Sequence, residues 1–282
     1  MSRRQLVITA DDFGLDPAVN EAVEAAYRDG VLTAASLMVG GPAAGDAVER
    51  ARLNPRLKVG LHLVLVEGRP LLPPGEVRHL INAAGEFRSD MAATGATMFF
   101  HPAARRELAA EIEAQFAAFG ATGLALDHVN AHKHFHLHPT IAGLILEVGA
   151  RYGLAAVRVP IEPLAPLMAA EPGARPHRDA VVDVWAALAR ARIRRAGMTV
   201  PDQVFGLRWS GAMTEARLAG LIRALPDGLS EIYLHPATRG GFEGSAPGYR
   251  YADELAALTS PTVALATVQS EVRRGGFADF IS

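Results

Sequence analysis

The 282-residue chain contains no cysteine. Disulfides, thiolate metal sites and a cysteine nucleophile are thereby excluded, and any metal has to be held by His, Asp or Glu. An excess of one charge is also missing. The 28 Lys and Arg against 30 Asp and Glu leave a formal net charge of −2, so no electrostatic footprint for nucleic acid exists. No run approaches the roughly 18 uninterrupted apolar residues that a membrane-spanning helix needs. The start, MSRRQLVITADDFG, places two arginines before an apolar stretch too short for a signal sequence. A cytoplasmic protein is the expectation, with peripheral contact at the inner membrane face left open. Neither a Gly-x-Gly-x-x-Gly fingerprint nor a P-loop is present, which removes the usual nucleotide folds.

Half of the residues are hydrophobic, enough to bury a large core. Apolar, β-rich runs at residues 6–9, 35–39, 58–65, 126–134, 157–159, 230–234 and 262–264 read as strands. Between them, residues 17–29, 43–53, 105–119 and 141–152 read as helices. The first helix has Asp16 as N-cap, Pro17 at its first position and Gly30 as its stop. This order predicts an α/β fold: a single-domain (β/α)-barrel-like unit over residues 1–282, with parallel strands and outer helices. An open doubly wound sheet is the alternative. Residues 67–100, rich in Pro and Gly, read as a rim insertion. Residues 163–197 are apolar and then basic, as expected for a lid or an interfacial segment; there Trp185, Leu188 and Ile193 fall among Arg190, Arg192, Arg194 and Arg195. An ordinary barrel helix packing its apolar stripe inward would have the same pattern.

The polar residues that carry chemistry fall at predicted strand ends. Asp11 and Asp12 follow the first strand; adjacent carboxylates repel unless a cation or proton lies between them. A helix-capping loop would explain the pair as well. His62 interrupts an apolar strand in Gly60-Leu61-His62-Leu63, where a packed core histidine is the plainer reading. Gly60 would allow close backbone approach on the same face. The segment from Asp127 to Pro139 is the strongest signal, with five histidines in eleven residues. If it is extended throughout, His128, Asn130, His132, His134 and His136 share one face. Glu231-Ile232-Tyr233-Leu234-His235-Pro236 is another short strand ending in His, and makes His235 a candidate general acid. Arg158, inside an apolar run, requires a carboxylate partner, Asp11 or Glu162.

Taken together and in this order, Ala-Asp-Asp-Phe-Gly, Gly-Leu-His-Leu, the His-rich segment and Leu-His-Pro resemble the YdjC-like carbohydrate deacetylase family over nearly the whole chain. Residues 31–42 and 130–139 look like its hopanoid-biosynthesis-associated branch, which acts on an N-acetylglucosaminyl hopanoid lipid; other members deacetylate chitooligosaccharides. The resemblance implies Asp12, His62 and His132 as metal ligands, Asp11 as general base and His235 as general acid, with Arg158 beside them. Asn130, His134 and His136 are expected at the substrate. Family members usually carry Asp where this chain has Asn130, and Gly where it has Ala237. Two His and one carboxylate suit one divalent ion, Zn2+ first and Mg2+ as the alternative. No organic cofactor is implied. The expected partners are an N-acetylglucosaminyl lipid or oligosaccharide, with a homo-oligomer left open. Three rivals share parts of the pattern: a glycoside hydrolase built on Asp11 and Asp12, a metal-dependent phosphoesterase, and a non-enzymatic metal-binding or chaperone protein.

Overall fold

Strand β1 (Arg4–Phe13) is buried from Leu6 to Phe13 because it runs through the middle of a parallel sheet. The computed structural model describes residues 3–173 and 180–281. After β1 come helix α1 (Pro17–Arg28), strand β2 (Ala34–Leu37), helix α2 (Ala44–Leu53) and strand β3 (Lys58–Leu63). Helices α3 (Met91–Phe100) and α4 (Pro102–Ala121) precede strand β4 (Leu126–Ala131). Then follow α5 (Pro139–Gly149), α6 (Leu164–Ala170), α7 (Ala180–Arg195), strand β5 (Gln203–Phe205), α8 (Glu215–Ala224) and strand β6 (Gly228–Leu234). Helices α9 (Tyr251–Leu258) and α10 (Pro261–Gln269) lead to the short strand β7 (Arg273–Arg274).

The strand order is β4-β3-β2-β1-β6-β5, with β7 paired to β1, and every ladder is parallel. The sheet curls into a half-barrel with helices around it. Its two edges are joined through the segment after α5: Val157 bridges to Val129 of β4, and the Val204 N–H of β5 donates to the Ile161 carbonyl.

Side chains alternate across this curved sheet, and the alternation creates the site. Leu6, Ile8 and Ala10 of β1, Leu37 of β2, Leu61 of β3, Val129 of β4 and Ile232 of β6 belong to the large core packed under the helices. Their neighbours point inward. At the bottom of the interior Val7, Ala34, Ala156, Leu229 and Phe277 form a small apolar plug. One and two residues' spacing further along the same strands, the inward positions become Thr9, Asp11, Ser36, His62, His128, Asn130 and Glu231, all buried.

Several boundaries differ from the sequence reading. The strand expected over 126–134 ends at Ala131, since Lys133 and His134 adopt left-handed φ of 52° and 55° inside a 3-10 turn, His132–Leu137. His132, His134 and His136 therefore do not continue the face of His128 and Asn130. Residues 262–264 are helical, not extended. Ser260 accepts from the N–H groups of Thr262 and Val263, and Pro261 takes the first helical position, so the cap overrides the β-branched pair. Residues 157–159 form a bridge in place of a full strand. The 67–100 insertion ends in α3, capped by Asp90. The 163–197 segment contains α6 and α7; residues 174–179 of it lie outside the described residues.

The plug is locked by Asp127. Its carboxylate accepts from the backbone N–H groups of Phe277 and Ala278 and from His128 Nδ1. Burial opposes ionisation, but His128 and the two N–H donors prevail and hold the carboxyl below its ordinary 3.8. Asp127→Ala should destabilise the fold by about 1–3 kcal/mol, because two buried donors and one partly buried donor lose their acceptor. A denaturant midpoint shift at constant slope would measure it. Since the folded-state value is depressed, this contribution should be complete above pH 3.8 and fade as pH falls through the folded value.

Candidate metal centre and catalytic pocket

Asp11 and Asp12 are consecutive in β1, so a regular strand would send them to opposite faces. Asp12 instead has φ of 63°, and the β1–β2 register slips between Ala10 and Phe13. This bulge re-aims the second carboxylate, so both residues line one cavity of about 430 Å³ at the C-terminal mouth of the sheet. The turn behind it is fixed by Gly14, φ 97°, whose N–H donates to Asn20 Oδ1 at 2.8 Å. A left-handed non-glycine residue is costly, and such strain persists where surrounding structure holds it.

Asp12 Oδ1 lies 3.3 Å from His62 Nε2 and 3.3 Å from His132 Nδ1. One ligand atom from each residue falls within 4.8 Å of the others. The hydrogen-bond chain behind His62 decides what these atoms are. Asn130 Nδ2 donates to Asp11 Oδ1 at 3.1 Å and to Ser36 Oγ at 2.9 Å, so Asn130 Oδ1 must be the acceptor for His62 Nδ1–H at 2.6 Å. In the neutral ring His62 Nε2 is then a bare lone pair facing a carboxylate oxygen. Both atoms are buried, and neither has a hydrogen-bond partner. Two acceptors that face each other without a proton suit a cation between them, and the residues present fit a divalent metal. His132, on the left-handed turn, would bind through Nδ1, with its Nε2 3.9 Å from Glu67.

Asp11 is held differently. Arg158, fully buried, grips both of its oxygens and extends NH2 to Glu231 Oε1 at 2.7 Å. Burial would raise the Asp11 carboxyl, but Arg158, His62 and His235 hold it well below the usual carboxylate range. Thr9 Oγ1 donates to the same Glu231 oxygen at 2.7 Å. The expected alternative partner of Arg158, Glu162, is engaged elsewhere, on Arg208 and the backbone N–H groups of Gly206, Leu207 and Arg208.

Deeper in, Ser36 Oγ, His128 and Asp127 are joined at 3.0 Å and 3.0 Å. The order mimics a hydrolytic triad, yet Ser36 and His128 have no exposed surface and Ser36 already accepts from Asn130. No substrate can reach this serine. Gly60 makes the arrangement possible: a Cβ there would lie 2.5 Å from the His128 ring.

His134 and His235 flank the mouth. His134 Nε2 is 2.9 Å from the Tyr233 hydroxyl; burial and the nearby Arg158 hold its ring well below the usual histidine range. His235 lines the pocket half-buried; its backbone N–H is fixed by Glu254, and its Nδ1 has no partner. Asn130 and His136, expected at the substrate, lie behind the cavity wall. All of Asn130's bonds go to His62, Asp11 and Ser36, and His136 Nε2 donates to the Arg158 carbonyl at 2.8 Å. Burial pushes the His136 ring down to about 3, so it stays neutral.

The profile of the YdjC-like protein family matches residues 5–268. The chain belongs to the YdjC-like family. A carbohydrate deacetylase of Geobacillus stearothermophilus is 32% identical over 281 residues, covering 98% of each chain. Another, from Thermoanaerobacter pseudethanolicus, is 25% identical over 234 residues, 83% of this chain and 81% of that one. Among solved structures, a proposed cellobiose-phosphate cleavage protein of Enterococcus faecalis V583 superposes over all of both chains with a TM-score of 0.77 at 24% identity, which shows a shared fold.

In this YdjC-like chain the sequence reading missed Tyr233, Glu231 and Ser36. Glu231, Tyr233 and His235 stand at alternate positions of one strand, so the face that offered His235 already contained the other two. Ser36 was signalled only by being the one polar residue in β2. Because Asn130 fixes the His62 tautomer, Asn130→Ala should weaken metal binding about 10- to 100-fold. His62→Ala should abolish it. Competition against a chromophoric chelator would compare the two.

Proposed function

We propose that this protein is a metal-dependent N-deacetylase acting on N-acetylglucosamine units, with Asp12, His62 and His132 as ligands of one divalent ion. The observation that carries this reading is the pair of unpartnered acceptors, Asp12 Oδ1 and His62 Nε2, beside a separately anchored carboxylate, Asp11. The names of the relatives, carbohydrate deacetylases, point to the same reaction. Two His and one Asp suit Zn2+, with Mg2+ the alternative. When bound, the ion would polarise the acetyl carbonyl and make water a better nucleophile.

The residues of the chain supply the rest. Asp11 takes the proton of the attacking water; the two-pronged Arg158 contact orients it and keeps it ionised, which makes it available but lowers its strength as a base. His235, across the pocket, gives a proton to the departing amine. Tyr233 and His134 wall the sugar side and keep bulk water from the Arg158–Asp11 pair. Acetate and a free glucosamine unit are the products.

A two-metal phosphoesterase is disfavoured, because the described residues contain one three-residue ligand group. A glycoside hydrolase would need carboxylates on both sides of the bond, whereas Asp11 and Asp12 adjoin on one strand. The substrate we assign is an N-acetylglucosaminyl hopanoid lipid, met by peripheral contact with the membrane. No helix among the described residues is long and apolar enough to cross a membrane.

Acetate release from an N-acetylglucosaminyl hopanoid and from chitobiose tests the reading. Activity should vanish on metal chelation and return with Zn2+ more than with Mg2+. Asp11→Asn should retain the metal yet lose at least about 100-fold in kcat, the lower range for a general base. Near-normal turnover in that variant would remove Asp11 from the reaction.

A further inference from the structure

A second cavity, of about 930 Å³, opens beside the catalytic pocket and shares Lys133, His134 and Leu207 with it. Its character is the opposite. Met91, Ala96 and Phe99 of α3 form one wall, Phe135 and Leu137 of the 3-10 turn the floor, and Trp185 of α7 the far side. Of the few polar side chains, Lys133 pairs with Glu67 and His134 Nε2 meets the Tyr233 hydroxyl, while Nδ1 of His134 and of His138 is buried, away from the cleft surface. Gly95 lets α3 lie close, since a Cβ there would stand 3.2 Å from the His138 ring.

We propose that this cleft seats an apolar aglycone attached to the amino sugar, so that the enzyme takes an amphiphile whose head enters the catalytic pocket. The inference rests on the deacetylase reading and adds where the rest of the substrate goes. Three observations carry it. The two cavities adjoin, with Lys133, His134 and Leu207 in both linings, so the cleft is the neighbouring space for whatever part of a substrate held at the Asp and His cluster extends past His134. The cleft has almost nothing with which to bond a hydroxyl group, so a second sugar unit would lose hydrogen bonds to water there without replacement. Finally, Phe99, Phe100 and Trp185 are 52%, 79% and 43% exposed. Large aromatics clustered in contact with solvent at a concave surface mark a site that something apolar covers. The hydrocarbon commits this site to one occupant, the substrate's own tail.

The test compares hexyl and methyl N-acetyl-β-glucosaminide, both in free solution, with metal-loaded wild type and Ala96→Trp. Ala96 is exposed on α3, so the larger ring fills the cleft without entering the core. Wild type should prefer the hexyl compound in kcat/KM. Ala96→Trp should lose about tenfold or more of that preference, the scale on which an apolar pocket discriminates, while acting normally on the methyl compound. Ala92→Trp, one turn earlier on the same wall, should repeat the result. Occupancy can also be read without turnover. Trp209 is 8% exposed, so Trp185 is the tryptophan that reports on the cleft. Its fluorescence should shift to the blue with the hexyl compound alone, and Trp185→Phe should remove the shift. Equal handling of both glycosides by wild type and Ala96→Trp, with no shift, would overturn the proposal. A blue shift with no acetate released from either glycoside would support the cleft and defeat the deacetylase reading.

Discussion

Asn130 is the residue through which the interior is wired. Its amide has one acceptor and two donors, and all three are used: for His62, for Asp11 and for Ser36. The acceptor decides which nitrogen of His62 is bare, and a donor turns Asp11 toward the pocket. An Asp at this position would change the wiring. A carboxylate could still receive His62, but it could donate nothing to Asp11 or Ser36 unless protonated. The amide in this chain spares the site a third carboxylate beside Asp11 and Asp12. It also fixes the hydrogen-bond direction through Ser36, whose hydroxyl is left to donate to His128.

Arg158 does for charge what Asn130 does for direction. It is buried completely, with Asp11 and Glu231 on its guanidinium and Tyr233 over its face at 4.5 Å. A buried ion cluster of this kind adds little stability for its size, yet losing one member strands the others, at a cost of about 3–5 kcal/mol. The cluster is therefore understood as a device of placement. It keeps a carboxylate charged next to the candidate metal group and leaves it facing the cavity. The helices outside, packed on Leu6, Ile8 and their neighbours, provide the stability that lets the interior remain polar.

Much of this was readable from residue order. Strand and helix alternation gave the parallel sheet, and the Asp16 cap with Pro17 gave the first helix as found. The three metal-ligand candidates meet in space, though they come from β1, β3 and the turn after β4. What resisted reading was backbone conformation. The left-handed residues Asp12, Lys133 and His134 are not glycines; Asp and His visit positive φ more than most residues do, but too seldom for a single sequence to mark the position. That is why His136 was expected on the substrate face, when the turn carries it behind the wall. Residues 262–264 misled for a simpler reason, because two β-branched side chains, Thr262 and Val263, looked extended while the decisive signal lay just upstream at Ser260 and Pro261.

The apolar plug has a consequence for the order of assembly. Phe277 stacks on His128 at 4.6 Å between ring centres and is tied to Asp127, 150 residues earlier in the chain. During synthesis β4 leaves the ribosome long before Phe277, the last part of the plug. Until residues 276–279 arrive, the floor beneath His128 is open to water, and the hydrogen bonds that run from it toward Asn130 and His62 compete with solvent. The fixed tautomer of His62 is thus a late product of biogenesis. A chain stalled or clipped shortly before Phe277 would possess Asp11, Asp12, His62 and His132, yet hold them over an unsealed base. Proofreading of completeness is in this sense built into the floor of the barrel.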